Sequence, residues 1–165
     1  MRIDTFCAAR WLALLLPLAL VGGAHTTEFF GLVPCEMCWW QRWPHYAAVL
    51  IALGAFLVKD RRAQLAFILL AGLAVAISGG IGVFHAGVEY KWWQGITACT
   101  AQVHGTNPMD MLNDALRRPL IRCDVPQWTL FGISLAGFNA IFSLTGAVAI
   151  YALALSQSNH KARRA

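Results

Sequence analysis

Four runs of apolar residues, each about long enough to cross a bilayer, alternate with polar segments along this chain. They extend from Phe6 to Ala24, with Arg10 near the start, from Cys38 to Val58, from Ala63 to Phe84, and from Trp128 to Leu155, the last two without a charge. About 20 residues at a rise of 1.5 Å cover the ~30 Å hydrocarbon core, and a helix keeps its own backbone groups paired there. The pattern therefore predicts an all-α membrane protein. It would be a four-transmembrane-helix bundle forming one domain over residues 1–165, with spans at about 6–24, 38–58, 63–84 and 128–155 and outer loops at about 25–37 and 86–127. Gly72, Ala76 and Gly80 recur every fourth residue in the third run, a spacing that lets helices approach closely in lipid. In the second outer loop, Gly105-Thr106-Asn107-Pro108 reads as a turn with a helix start. Met109, Leu112, Leu116 and Leu120 follow at helical spacing, which predicts a short amphipathic helix on the membrane surface that ends at Pro119. An ordinary surface helix packed on loop residues fits the same pattern.

Composition sharpens this reading. Of 165 residues 58% are hydrophobic and 13% charged, and the mean hydropathy is +0.56. The net charge of +5 does not indicate a nucleic-acid binder, because the basic residues flank the apolar runs instead of forming one patch. Arg2, Arg10, the Lys59-Asp60-Arg61-Arg62 loop, Lys161, Arg163 and Arg164 fall on one side, 8 of the 13 basic residues. The excess of Lys and Arg marks that side as cytoplasmic, with both termini there. On the other face Lys91, Arg117, Arg118 and Arg122 balance Glu89, Asp110, Asp114 and Asp124, and six tryptophans (Trp39, Trp40, Trp43, Trp92, Trp93, Trp128) form an aromatic belt. The alternative for the first run is a signal peptide cleaved after Gly22-Gly23-Ala24. A retained span is simpler, because it keeps the basic loop and both termini on one side.

Chemistry concentrates in the cysteines. Cys7 lies on the cytoplasmic side, where thiols stay reduced, and reads as a small apolar filler. Cys35, Cys38, Cys99 and Cys123 face the other compartment, where an even number suggests disulfides. Three pairings are open, and Cys35–Cys38 with Cys99–Cys123 is the expected one. A zinc site from all four is disfavoured because the second pair lacks short spacing, and no metal is expected. Purely structural disulfides remain an alternative. A Cys-x-x-Cys bond closes almost no loop, however, and makes better sense as reactive. With a helix beginning near Cys38, that sulfur would meet the positive end of the dipole. Arg42 lies one turn deeper on the same face, placed to stabilise a thiolate or the carbonyl oxygen of a quinone, while Glu36 opposes thiolate formation. Gln41 is a second polar contact. His85, four residues before Glu89, is a quinone contact, a proton carrier or a satisfied helix-end histidine, and His45 could line the same pocket.

Pro34-Cys35-x-x-Cys38-x-x-Gln41-Arg42-x-Pro44, His85-x-Gly87-Val88-Glu89-x-x-Trp92-Trp93, Cys99 and Arg122-Cys123-Asp124, in this order, resemble the DsbB family of membrane disulfide-bond formation proteins. The resemblance covers nearly the whole chain; Met37, where leucine is usual, is a small departure. It implies a bacterial inner-membrane thiol oxidase with both cysteine pairs periplasmic. A periplasmic DsbA-like thiol oxidoreductase would be reoxidised at Cys99. Electrons would pass through Cys99/Cys123 and Cys35/Cys38 to ubiquinone or menaquinone, with Arg42 matching the quinone-contacting arginine and His85 near the quinone. The same sulfurs run in reverse would make a quinone reductase like the vitamin K epoxide reductase group.

Overall fold

The computed structural model describes residues 4–97, 107–116 and 122–162. It is mostly helical: α1 (Thr5–Phe29), α2 (Glu36–Leu57), α3 (Arg61–Glu89), the short α4 (Pro108–Leu116), a two-strand hairpin of β1 (Thr129–Leu130) and β2 (Ile133–Ser134), and α5 (Leu135–Ala162). Side-chain caps set several of these starts. The Asp4 Oδ1 accepts from the Phe6 N–H at 3.1 Å, and the Asp60 Oδ2 accepts from the Ala63 N–H at 2.8 Å.

Among the described residues three helices are long and apolar enough to cross a membrane: α1, α3 and the Leu135–Ser156 part of α5. The 22 residues of α2 give sufficient length, about 33 Å, but Glu36, Gln41, Arg42 and His45 crowd its first half and lower its apolar character. In the bundle α3 packs against both α2 and α5, and α1 closes against α2 and α5. The interior is built from small side chains, among them Ala9, Ala13, Ala52, Ala55 and Ala71 around Ile68 and Ile150. Large ones such as Leu50, Leu57 and Val148 point outward. That inversion of the soluble pattern suits helices packed in lipid, where close backbone approach holds them together.

Several helices depart from the bounds of the apolar runs. The first run does not stop at Ala24; α1 continues to Phe29, which carries Glu28 into the bundle and shortens the first connecting loop. The third likewise continues to Glu89. The fourth helix starts at Leu135, not Trp128, because Phe131 and Gly132 adopt φ of +53° and +77° and fold residues 129–134 into a tight hairpin. Two consecutive positive φ values are what a two-residue turn of matching twist requires. Tyr90 fastens this hairpin to the end of α3: its hydroxyl donates to the Gly132 carbonyl and accepts from the Ser134 N–H, each at 2.8 Å.

The every-fourth-residue stripe also needs revision. Gly72 does meet α5, since an added Cβ would lie 3.2 Å from Ile150, but Gly80 faces open space. The close approaches are at Gly79, against Leu144 and Ser143, and at Gly82, where a Cβ would lie 3.0 Å from the Ala136 oxygen and the Ala140 nitrogen. In the second loop α4 covers Pro108–Leu116 among the described residues, and Met109, Leu112 and Leu116 are exposed. Leu120 and Pro119 lie outside the described residues.

Candidate functional site

The site lies at the end of the bundle where α1 and α3 finish and α2 and α5 begin. Cys35 is the N-cap of α2, one turn earlier than expected, and its sulfur accepts from the helix's free N–H groups. The Cys38 N–H donates to the Cys35 Sγ at 3.4 Å. The two sulfurs stand 3.1 Å apart as free thiols, the dithiol state of the pair. In this state the Cys38 sulfur, followed by burial, raises the Cys35 thiol well above its ordinary range, against the pull of the Cys38 and Met37 N–H groups.

Cys123 comes to the same place. It is buried and disulfide-bonded, and it packs in one cluster with Cys35, Met37 and Val88, flanked by Cys38, Trp40 and Phe84. Cys99 lies outside the described residues. The Cys123 segment is held by charges: Lys91 Nζ donates to Asp124 Oδ2 at 2.5 Å and to its carbonyl at 2.6 Å, while Arg122 donates to both carboxylate oxygens at 2.8 and 2.7 Å. Arg122 and then Lys91 hold the Asp124 carboxyl well below the usual range, so it is ionised at any neutral or mildly acidic pH. The Gln127 amide pairs with both backbone groups of Val33, at 2.6 and 3.2 Å, and ties this segment to the first loop. The Thr97 hydroxyl donates to the Cys123 Sγ at 3.6 Å.

Arg42 is buried and does not stand alone. It forms an ion pair with Glu28 of α1, donates to the Ala24 carbonyl at 3.4 Å, and lies 5.0 Å over the Trp39 ring. Glu28 was missed by sequence reasoning; its signal was an acidic residue just past an apolar run, facing the only charge in the next one. Gln41 and His85 are in contact, with Gln41 Nε2 2.7 Å from His85 Nδ1. His85 Nε2 lies 3.6 Å from the Cys35 Sγ and 3.8 Å from Glu89 Oε1, so the histidine faces both the sulfur and its helix-end carboxylate. Glu89 Oε2 is buried with no hydrogen-bond partner among the described residues. His45 does not line the pocket; it turns into the bundle toward Asn139, at 2.9 Å. A cavity of about 50 Å³ opens here, lined by Cys35, Cys38, Arg42, His85 and Glu89 on one wall and Trp128, Leu135 and Ala136 on another. Cys35, Cys38 and His85 have ligand atoms within 4.8 Å of one another, a donor set able to hold a thiophilic ion. Gly87 lets Trp93 close over α3: a Cβ there would lie 2.1 Å from the indole, which stacks on Phe84 and donates to its carbonyl at 2.9 Å.

A helical chain that gathers a Cys-x-x-Cys dithiol and a disulfide-bonded third cysteine at the end of an apolar bundle is a membrane thiol–disulfide protein. Comparison with known proteins is more specific. The profile of the family described as "Disulfide bond formation protein DsbB" matches residues 7–153. A "Disulfide bond formation protein B" of Marinobacter nauticus is 28% identical over 146 residues, covering 81% of this chain and 84% of that protein. A "Probable disulfide formation protein" of Oceanobacillus iheyensis is 38% identical over 61 residues, covering 37% of this chain and 42% of that protein, so the chain spans well under half of its length. No solved structure matches. The chain belongs to the DsbB family.

Proposed function

We propose that this chain is an inner-membrane thiol oxidase that reoxidises a periplasmic DsbA-type dithiol protein and delivers two electrons to ubiquinone or menaquinone. The observation that carries the reading is the packing of the disulfide-bonded Cys123 in one buried cluster with Cys35. Sulfur exchange needs each sulfur within reach of the next, and packing in one cluster supports that. A partner thiolate attacks Cys99, forming a mixed disulfide and releasing Cys123 as a thiolate. Cys123 attacks Cys35 of the oxidised Cys35–Cys38 bond, and Cys38 leaves as a thiolate. The partner's second thiol then closes its own disulfide and releases Cys99. Cys99 attacks Cys123 of the Cys35–Cys123 bond, which restores Cys99–Cys123 and leaves the Cys35/Cys38 dithiol.

A quinone in the adjoining cavity would accept the two electrons and two protons of that dithiol. The residues suit such a group: an apolar wall of Trp128, Leu135 and Ala136 faces polar atoms that include Glu89 Oε2, without a partner among the described residues. Arg42 carries five N–H groups, of which Glu28 and Ala24 engage two. Four spans with both termini cytoplasmic fit the 22-residue length of α2 and the one-sided placement of Lys and Arg. In this arrangement α4 lies on the periplasmic face with Met109, Leu112 and Leu116 toward the bilayer surface.

The test is anaerobic mixing of the detergent-solubilised protein with a reduced DsbA-type protein and ubiquinone, following quinone absorbance and partner thiols together beside a Cys38→Ser control. Stoichiometric loss of both, absent in the control, is expected. Persistent quinone absorbance with fully oxidised, unreactive cysteines would remove the oxidase reading. Electron flow from quinol to partner would establish the reductase direction instead.

A further inference from the structure

Lipid-spanning helices rarely carry buried amides and hydroxyls without a purpose, yet Gln41, His45, Ser78, Asn139 and Ser143 meet inside this bundle. They form one hydrogen-bonded chain that ends at His85. Asn139 Nδ2 on α5 donates to Gln41 Oε1 at 2.8 Å and to the Ser78 carbonyl at 3.2 Å. Gln41 Nε2 donates to the Met37 carbonyl at 3.3 Å and lies 2.7 Å from His85 Nδ1. The Ser78 hydroxyl donates to the Gln41 carbonyl at 2.7 Å, and Ser143 donates to Asn139 Oδ1 at 3.0 Å.

Backbone carbonyls only accept, and they give this chain a direction. Turning the Gln41 amide over would set its oxygen against the Met37 carbonyl. Turning Asn139 would do the same at the Ser78 carbonyl, leaving acceptors face to face in a buried site. With both amides fixed, His85 Nδ1 faces an N–H and must accept, so the ring's single proton sits on Nε2. The Cys35 Sγ and Glu89 Oε1 face Nε2, and the Cys123 backbone carbonyl also accepts from the ring. An imidazolium would need a second proton on Nδ1, pointing at the N–H of Gln41.

We infer that Asn139 is a positioning residue that, acting through Gln41, holds His85 as a neutral Nε2–H donor to the Cys35 sulfur, and that Glu89 is the group at this site that takes up and releases a proton. A neutral imidazole cannot surrender its only proton, so His85 stabilises negative charge on sulfur without transferring a proton. Glu89, 7% exposed at its side chain and with one oxygen unpartnered among the described residues, has the place and the free atom for that transfer. The same tautomer makes Nε2 a donor and not a ligand toward the sulfurs, which argues against a bound thiophilic ion. The catalytic consequence rests on the thiol-oxidase reading; the tautomer is a property of the folded chain alone.

The test is ¹⁵N NMR of the reduced, full-length protein labelled at histidine, with His85 assigned by its loss in His85→Gln. An unprotonated Nδ1 and a protonated Nε2, unchanged between about pH 5 and 8, are expected. A protonated Nδ1, or an imidazolium forming in that window, would overturn the inference whether or not the protein oxidises a partner. Asn139→Leu is expected to give mixed tautomers and a roughly two- to tenfold slower Cys35 alkylation, the range of one lost hydrogen bond, with a new histidine limb in its pH profile. Glu89→Gln is expected to remove a limb instead. The groups facing His85 are Glu89 on its own helix, Arg42 with its partner Glu28, the two thiols, and Arg122 across the cavity. An Asn139→Leu profile identical to that of the parent would also count against the positioning role.

Discussion

Replacing Glu28 with leucine is the sharpest probe of how this bundle tolerates its buried charge. The Arg42 side chain is 8% exposed and its ion partner comes from a different helix, with a side chain 29% exposed. Removing one member of a buried ion pair costs about 3–5 kcal/mol, because the other charge is left without compensation. Arg42 would keep the Ala24 carbonyl and the Trp39 face, and the Glu28 side is partly open, so about 2 kcal/mol is the expected loss for Glu28→Leu. The double change Glu28→Leu/Arg42→Leu removes the stranded charge as well and should recover most of that loss, since apolar replacement of a whole buried pair is often neutral. Equilibrium unfolding in mixed micelles, followed by helical circular dichroism, measures all members of the cycle. A Glu28→Leu variant as stable as the parent, or a double variant weaker than the single one, would refute the reasoning. Under the proposed function the double variant should be well folded yet impaired in quinone reduction, which separates the structural role of Glu28 from the chemical role of Arg42.

Three further outcomes are expected. Gly82→Ala should destabilise by about 1–3 kcal/mol by pushing α5 backbone atoms that cannot yield, whereas Gly80→Ala, with open space around it, should be neutral or slightly stabilising in the same unfolding measurement. Gly87→Ala should dislodge Trp93 from Phe84, read as a shifted tryptophan emission with little loss of helix. Asp124→Asn should change global stability by less than about 1 kcal/mol, because Lys91 and Arg122 are largely exposed, while phosphine reduction of the Cys123 disulfide quickens roughly two- to fivefold. The pH dependence has a definite sign. The folded Asp124 carboxyl titrates below its unfolded value, so the clamp is complete above about pH 4 and weakens only as pH falls toward the lowered value.

The helices were legible because long apolar runs have few alternatives, and the placing of Cys35 and Cys38 at a helix mouth followed from the run that begins beside them. What stayed hidden depends on how helices rotate against one another. Spacing alone singled out Gly72, Ala76 and Gly80, but the contact face of α3 passes through Gly72, Gly79 and Gly82 and leaves Gly80 outside. The partner of Arg42 is fixed by α1 running one turn past its apolar stretch, which hydropathy does not register. The hairpin before α5 sits inside an apolar run, where Phe131 and Gly132 give no polar break to announce a turn. Asn139 was visible as a lone amide in a span, but nothing local ties it to Gln41, 98 positions away.

Thr97 and Cys123 touch, so the stretch between them leaves the site and returns to the same point. Both of its ends are held at one place. Its midpoint, residue 110, is about 13 residues from either end, so chain length alone keeps it within roughly 45 Å of that place. Under the proposed function, a second protein caught by a sulfur in that stretch would be confined to a small volume around Cys35. The next exchange would then be an encounter within one molecule, at the millimolar effective concentrations that short linkers provide, and its rate would no longer depend on how dilute the captured protein was.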